Sequence, residues 1–233
     1  VINSTVEAGG NIVIPSFALE RSQHLMYYLN KLLLSRRIPR LKVFIDSPMA
    51  VRITEVFEKH PDLYDEDLTA LMRQGKSPFD FLGLTMVKSV EDSKEINYIR
   101  GSVIIIAGSG MCTGGRIKHH LANNISRAES TILFVGYQAT ATLGRHIVDG
   151  AKEVRVLGKH YPVRARIVQI NGFSAHADRD ELLSWISGLK KPPRQIFVVH
   201  GEADTTEAFA HFMREKTGWD VSVANYREEV TLN

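Results

Sequence analysis

Residues 102–125 read SVIIIAGSGMCTGGRIKHHLANNI, and they decide how the rest of the chain is understood. Val103 to Ala107 is a short β-branched apolar run, which predicts a strand. Four glycines with serine, methionine, cysteine and threonine follow, and from Gly115 the apolar residues recur at helical spacing, which predicts a helix over 115–125. Strand, glycine-rich turn and helix in that order form half of a βα unit. Such units stack into a largely parallel sheet.

Working outward, the same alternation holds along the chain. Strands are predicted at 11–15, 42–46, 102–107, 131–136, 153–157, 163–170, 195–200 and 220–226, and helices at 18–35, 50–60, 66–74, 115–125, 144–150, 179–188 and 205–217. Residues 75–101 are the least periodic and read as loop with one strand near Thr85. The fold class is α/β. Ile2 and Val6 followed by Gly9-Gly10 read as the last turns of a helix. The chain is therefore expected to be a piece of a longer protein whose preceding part matters.

Composition narrows the function without naming it. The 233 residues are 44% hydrophobic and 24% charged, an ordinary globular balance. No apolar run approaches the roughly 20 residues of a membrane helix. The single cysteine, Cys112, cannot pair internally, so cytosol is the default location. Net charge is only +3, which permits a nucleic-acid partner without demanding one. Its distribution is more telling: residues 116–166 carry nine Lys/Arg against three acids, a local balance of +6. A solvated charged face explains that equally well.

The Gly108–Arg116 loop is an anion site in outline, because glycines turn backbone N–H groups toward one point and a helix N-terminus adds its positive end. Ser109, Gly110, Met111, Thr113, Gly114, Gly115 and Arg116 are the candidate phosphate contacts. A dinucleotide reading fails its second check, since the strand from Thr131 ends in Gly136-Tyr137-Gln138 rather than an acid. No Gly-Lys-Ser/Thr makes it a Walker loop. Two histidines form the second candidate: His176, in Phe173-Ser-Ala-His-Ala-Asp178, and His200, in Val198-Val-His-Gly-Glu202. If the strand to Ile170, the helix from Arg179 and the strand to His200 form one parallel crossover, both imidazoles emerge at the same sheet edge. They then suit metal or acid–base work. The plainer reading is a turn brace for His176, with Asp178 and Glu181 as a capping box. Cys112 reads as a small residue in a tight loop, His119, His120 and His160 as exposed, and Asp46-Ser47-Pro48 as a helix start capped by Ser47.

Taken in order, NIVIPSFALERSQ, FIDSPMA, GSGMCTGGR, VGYQATATLGR, NGFSAHADRDEL and VVHGE resemble the β-CASP branch of the metallo-β-lactamase superfamily. The chain is especially similar to bacterial and archaeal relatives of the endonuclease subunit of the pre-messenger RNA cleavage and polyadenylation factor. The resemblance implies a mostly parallel sheet with helices on both faces over residues 1–170, inserted into a metallo-β-lactamase αββα fold whose returning segment is 171–233. It implies a zinc-dependent nuclease acting on RNA, endo- or exonucleolytic, with two zincs in the whole protein. His176 would give a proton to the leaving 3′ oxygen and His200 would be a zinc ligand. A histidine rather than valine at that last position goes with RNA in the family. The His-x-His-x-Asp-His motif is absent from the chain, so the resemblance places it before Val1, and the chain alone is expected to be inactive. A non-catalytic RNA-binding module of the same fold and a nucleotide-cofactor protein remain as alternatives. Oligomeric state is open, and a homodimer is allowed.

Overall fold

The computed structural model describes residues 1–174 and 176–231, and the chain divides into two compact units, 1–174 and 175–233. In the first, the strands are β1 (Ile12–Pro15), β2 (Lys42–Asp46), β3 (Leu84–Met86), β4 (Val103–Ala107), β5 (Thr131–Val135), β6 (Glu153–Val156), β7 (Lys159–Pro162) and β8 (Arg166–Ile170). Among the described residues six of them make one parallel sheet in the order β3-β2-β4-β1-β5-β8. The helices are α1 (Ile2–Glu7), α2 (Arg21–Leu34), α3 (Pro48–Phe57), α4 (Glu66–Arg73), α5 (Val90–Glu95), α6 (Ile117–Asn124) and α7 (Leu143–Val148).

Both faces of this sheet are covered, which is why its central strands carry unbroken apolar runs. Val13, Ile105 and Phe134 face the side where Ile117 and Leu121 of α6 pack. Ile12, Ile14, Ile104 and Ile106 face the other, against Leu25, Met26 and Leu29 of α2 and Ala50 and Val51 of α3. Burying each isoleucine is worth about 1.5–3 kcal/mol. The two layers also set the site. β1 and β4 are neighbours, yet the helix after β1 goes to one face and the helix after β4 to the other. Adjacent parallel strands whose connections part in this way leave a crevice at their carboxyl ends.

The second unit holds α8 (Arg179–Ile186), β9 (Ile196–Val198), α9 (Ala203–Thr217) and β10 (Val221–Val223). β9 and β10 pair in parallel, and α9 crosses between them, packing Ala210 and Met213 with Val198 and Val221. No helix among the described residues is long and apolar enough to cross a membrane.

Three expectations need correction. The strand expected over 163–170 begins only at Arg166, as β8, and an unexpected strand precedes it, β7, which pairs with β6 in an antiparallel hairpin. Its two-residue turn has positive φ at both Leu157 and Gly158, the backbone that suits hairpin twist, but a leucine there gives no turn signal. The expected loop 75–101 contains α5, capped by Ser89, whose Oγ accepts from the Asp92 amide at 3.0 Å; six residues are too few to show a period. The crossover expected from Ile170 to His200 does not exist. β8 pairs with β5 and β9 with β10 in a separate sheet, and local periodicity carries no information about which strand a strand will pair with.

The polar centre of the first unit is Asp46, the last residue of β2 and fully buried. Its Oδ1 accepts from Arg116 Nη1 at 2.6 Å. Its Oδ2 takes Ser93 Oγ at 2.5 Å and His120 Nε2 at 2.6 Å. Arg116 also donates to the Lys88 carbonyl at 3.0 Å, which joins the start of α6 to the segment before α5. His120 was expected to be exposed and is instead 1% exposed; it lies one turn past Arg116 on the face of α6 that meets Asp46. An ionised carboxylate only accepts, so Nε2 donates to it. Nδ1 has no hydrogen-bond partner among the described residues. The neighbouring Ser47 caps α3 as expected, accepting from the Ala50 amide at 3.3 Å with Pro48 at the first helical position.

Burial pushes the Asp46 carboxyl up, but the hydrogen bonds from His120, Ser93 and Arg116 outweigh it and hold the group below its ordinary value. A carboxyl depressed in the folded state contributes stability that is full above the unfolded value of about 3.9 and is lost as pH falls through the folded value. Asp46→Ala is expected to cost about 3–5 kcal/mol, the penalty for leaving one member of a buried ion pair. Denaturant unfolding of the variant should also show a shallower loss of stability below about pH 4 than the parent does. Equal acid sensitivity of the two proteins would refute the assignment.

Cys112 is fully buried in the core layer below α6, and burial pushes its thiol up to about 12, with Lys118 opposing weakly. The small-residue reading of this position stands. The folded protein is expected to resist alkylation by iodoacetamide at pH 8 and to react once unfolded. Rapid labelling of the native state, followed by mass spectrometry, would contradict it.

Candidate functional site

At the crevice between β1 and β4, the Gly108–Arg116 loop is folded around one side chain. Ser109 Oγ accepts from the amides of Thr113 at 3.1 Å and Gly114 at 3.3 Å, and the Ser109 amide donates to the Gly114 carbonyl at 3.1 Å. Gly115 closes the ring with φ of +75°, where a Cβ would lie 2.3 Å from the Gly108 carbonyl oxygen. From the far side Gln138, past the end of β5 and 4% exposed, donates to the Gly110 carbonyl at 3.1 Å. These bonds set the shape of the loop from within the chain. The N–H groups of Gly110, Met111, Gly115 and Arg116 have no acceptor among the described residues.

Arg116, included among the phosphate contacts for its charge, points its guanidinium at Asp46 and the Lys88 carbonyl. Its backbone amide stays at the loop, while its charge is met from beneath. Lys118 Nζ instead donates to the Thr113 carbonyl at 3.3 Å on the rim. From the sequence alone Asp46 had no part in this architecture, and Gln138 entered only as the neutral end of the strand from Thr131, not as a partner of the loop. The glycine content of the loop pointed to something close behind it, but not to which residues.

In the second unit, His176 and His200 do come together. Their ring centroids are 6.5 Å apart and their planes inclined by 76°. His176 lies two residues before the cap of α8, where Asp178 accepts from the amides of Asp180 and Glu181 at 2.9 and 2.8 Å. Glu181 returns the bond to the Asp178 amide at 2.7 Å. This is the expected capping box, and it fixes the turn that carries His176. His200 follows β9 with φ of +63°, a left-handed backbone uncommon outside glycine, asparagine, aspartate and histidine. It borders a hollow of about 750 Å³ also lined by Trp185, Val199, Phe209 and Met213.

The zinc implied by the resemblance can be tested on the donor set. A catalytic zinc takes three protein ligands as a rule, and among the described residues no three or more His, Cys, Asp or Glu side chains converge as a metal site. Two imidazoles on one tetrahedral zinc would have centroids roughly 5 Å apart, given Zn–N bonds of about 2 Å. The observed separation is wider. These residues do not make a zinc centre by themselves.

Comparison with known proteins agrees with this geometry. A Beta-Casp domain family model matches residues 22–147, more than half of the chain, and a model for a Zn-dependent metallo-hydrolase RNA specificity domain matches 160–224. The chain is 38% identical over its whole length to ribonuclease TTHA0252 of Thermus thermophilus, covering 52% of that protein. It is 33% identical to the transcription termination factor FttA of Methanosarcina mazei, again over its whole length and 37% of the relative. An RNase J-like protein of Methanocaldococcus jannaschii is 29% identical over 90% of the chain. The chain thus spans about half the length of the Thermus ribonuclease and less of the Methanosarcina factor. It belongs to the β-CASP family of metallo-β-lactamase-type proteins.

Proposed function

We propose that the chain forms part of a zinc-dependent nuclease that hydrolyses RNA phosphodiester bonds, with residues 1–170 as the β-CASP insert and 171–233 as the returning metallo-β-lactamase segment. The observation that carries this reading is the pair of exposed imidazoles 6.5 Å apart, on two turns inside the match to the RNA specificity domain. Relatives named a ribonuclease and an RNase J-like protein support RNA as substrate. His200 is one zinc ligand, and the remaining ligands come from residues outside this chain. His176, too far from it for a shared tetrahedral metal, serves the leaving oxygen as a proton donor. In unit 1, the amides of Gly110, Met111 and Gly115 in the Gly108–Arg116 loop grip phosphate, while Ser109, Thr113 and Gly114, whose amides bond within the loop, hold its shape. The Arg116 amide joins the gripping amides while its side chain positions the loop.

The two histidines are separable in the full-length protein. His200→Ala is expected to lose zinc together with activity. His176→Ala should keep its zinc and lose roughly 10² to 10⁴ in rate, a defect that shrinks on a nitrophenyl phosphodiester, whose leaving group needs little protonation. Zinc loss in both variants, or an equal rate loss on both substrates, would end the proton-donor role. The chain alone is expected to hold less than one zinc after dialysis, measured by metal analysis.

Gly114 offers a test of the loop, because a Cβ there meets nothing within 4 Å. Gly114→Ala should bind single-stranded RNA like the parent, whereas Gly114→Asp sets a carboxylate beside the proposed phosphate. The aspartate variant should bind about tenfold more weakly, the equivalent of about 1.4 kcal/mol, with the gap narrowing as salt rises. Equal affinities of the two variants in fluorescence anisotropy would dismiss the loop as a phosphate contact.

A further inference from the structure

The crevice between β1 and β4 also exposes apolar surface that the fold does not use. Phe17, two residues past β1, is 45% exposed, Leu19 is 59% exposed, and Met49, just after β2, is 67% exposed. They follow strands that lie on either side of β4, whose own end carries the phosphate loop. Phe17 is not loose. Its carbonyl accepts from Ser22 Oγ at 2.7 Å and Ser16 Oγ at 3.1 Å, and Ser16 is tied to β4 through its amide, which donates to the Ala107 carbonyl at 3.0 Å. Its ring lies against Gly110 so closely that a Cβ there would be 2.8 Å from Cδ2 and Cε2. A ring supported from behind by the loop backbone, with nearly half its surface in water, is an exposed platform already fixed in place.

We infer that Phe17 is a stacking platform for one base of single-stranded RNA whose phosphate rests on the Gly108–Arg116 loop. This rests on the RNA reading above and adds to it the group that holds the base. Base–aromatic stacking needs an accessible π face beside a backbone-binding surface. The ring touches the very glycine whose amide has no internal acceptor. A rigid aromatic also loses little conformational freedom on binding, and stacking tolerates every base, so the contact holds RNA without reading its sequence.

The test compares Phe17→Leu, Phe17→Trp and the parent protein on a single-stranded RNA and on an abasic oligonucleotide of the same length, by fluorescence anisotropy. Phe17→Leu keeps apolar bulk over Gly110 but has no π face, and its affinity for RNA should fall about 5- to 150-fold, the worth of one stacked base. Phe17→Trp should bind RNA at least as tightly as the parent, and all three should bind the abasic strand alike. An unchanged RNA affinity in Phe17→Leu would overturn the inference, as would an equal loss on both strands, which would mean that the phosphate loop had been disturbed. A shift in oligomeric mass or thermal stability with RNA affinity intact would assign the ring to a protein contact and overturn it too. Should the parent bind neither strand, the RNA reading itself would fall and this inference with it.

Discussion

A carboxylate with no access to water holds the carboxyl edge of the first unit together. Asp46 ends β2, and its three partners come from α5, from the N-cap of α6 and from inside α6. Burying a charge is costly unless it is paired and fully hydrogen-bonded. With Arg116, His120 and Ser93 in place both oxygens are satisfied, and Arg116 is the partner among the described residues that Oδ1 depends on. That dependence fixes where α6 begins, and the Gly108–Arg116 loop is the stretch that must span from the end of β4 to that point.

The sheet supplies the other half of the constraint. Its central strands are apolar on both faces, so every connecting helix has to be assigned to one layer or the other. The chain places the helix after β1 and the helix after β4 in opposite layers, and a crevice results between strands joined at the Pro15–Ala107 end of their register. Ser16 and Phe17 leave one wall and Gly108 leaves the other. The candidate site in this unit is therefore set by layer packing, and the glycines of the loop are what allow backbone and rings to close up around it.

Much of this was legible from residue patterns. β2 lies where it was expected, and β4, α2 and α9 are within a few residues, because long periodic or β-branched runs report burial directly. The Ser47 and Asp178 caps were legible because capping is local chemistry. What could not be read depends on partners far away in sequence. His120 reaches Asp46 across 74 residues and Arg116 does so across 70, and nothing near His120 marks it as buried. β9 takes its place from β10 and α9, so the proximity of His176 and His200 was expected for a reason that the sheet topology does not support. The β6–β7 turn was hidden because Leu157 occupies a backbone region that its residue type seldom adopts.

The self-contained bonding of the Gly108–Arg116 loop bears on what it can do. A loop whose amides all waited for an anion would carry several buried unsatisfied donors when empty, each costing about 1–3 kcal/mol. Here Ser109 satisfies two of them, Gln138 anchors the Gly110 carbonyl and the Asp46 pair fixes the far end. The amides left over are those of Gly110, Met111, Gly115 and Arg116, which flank the serine-filled centre. An anion meeting such a loop gains hydrogen bonds without having to order the backbone first. On the proposed reading of the loop as a phosphate contact, this preorganisation lowers the cost of binding each phosphate.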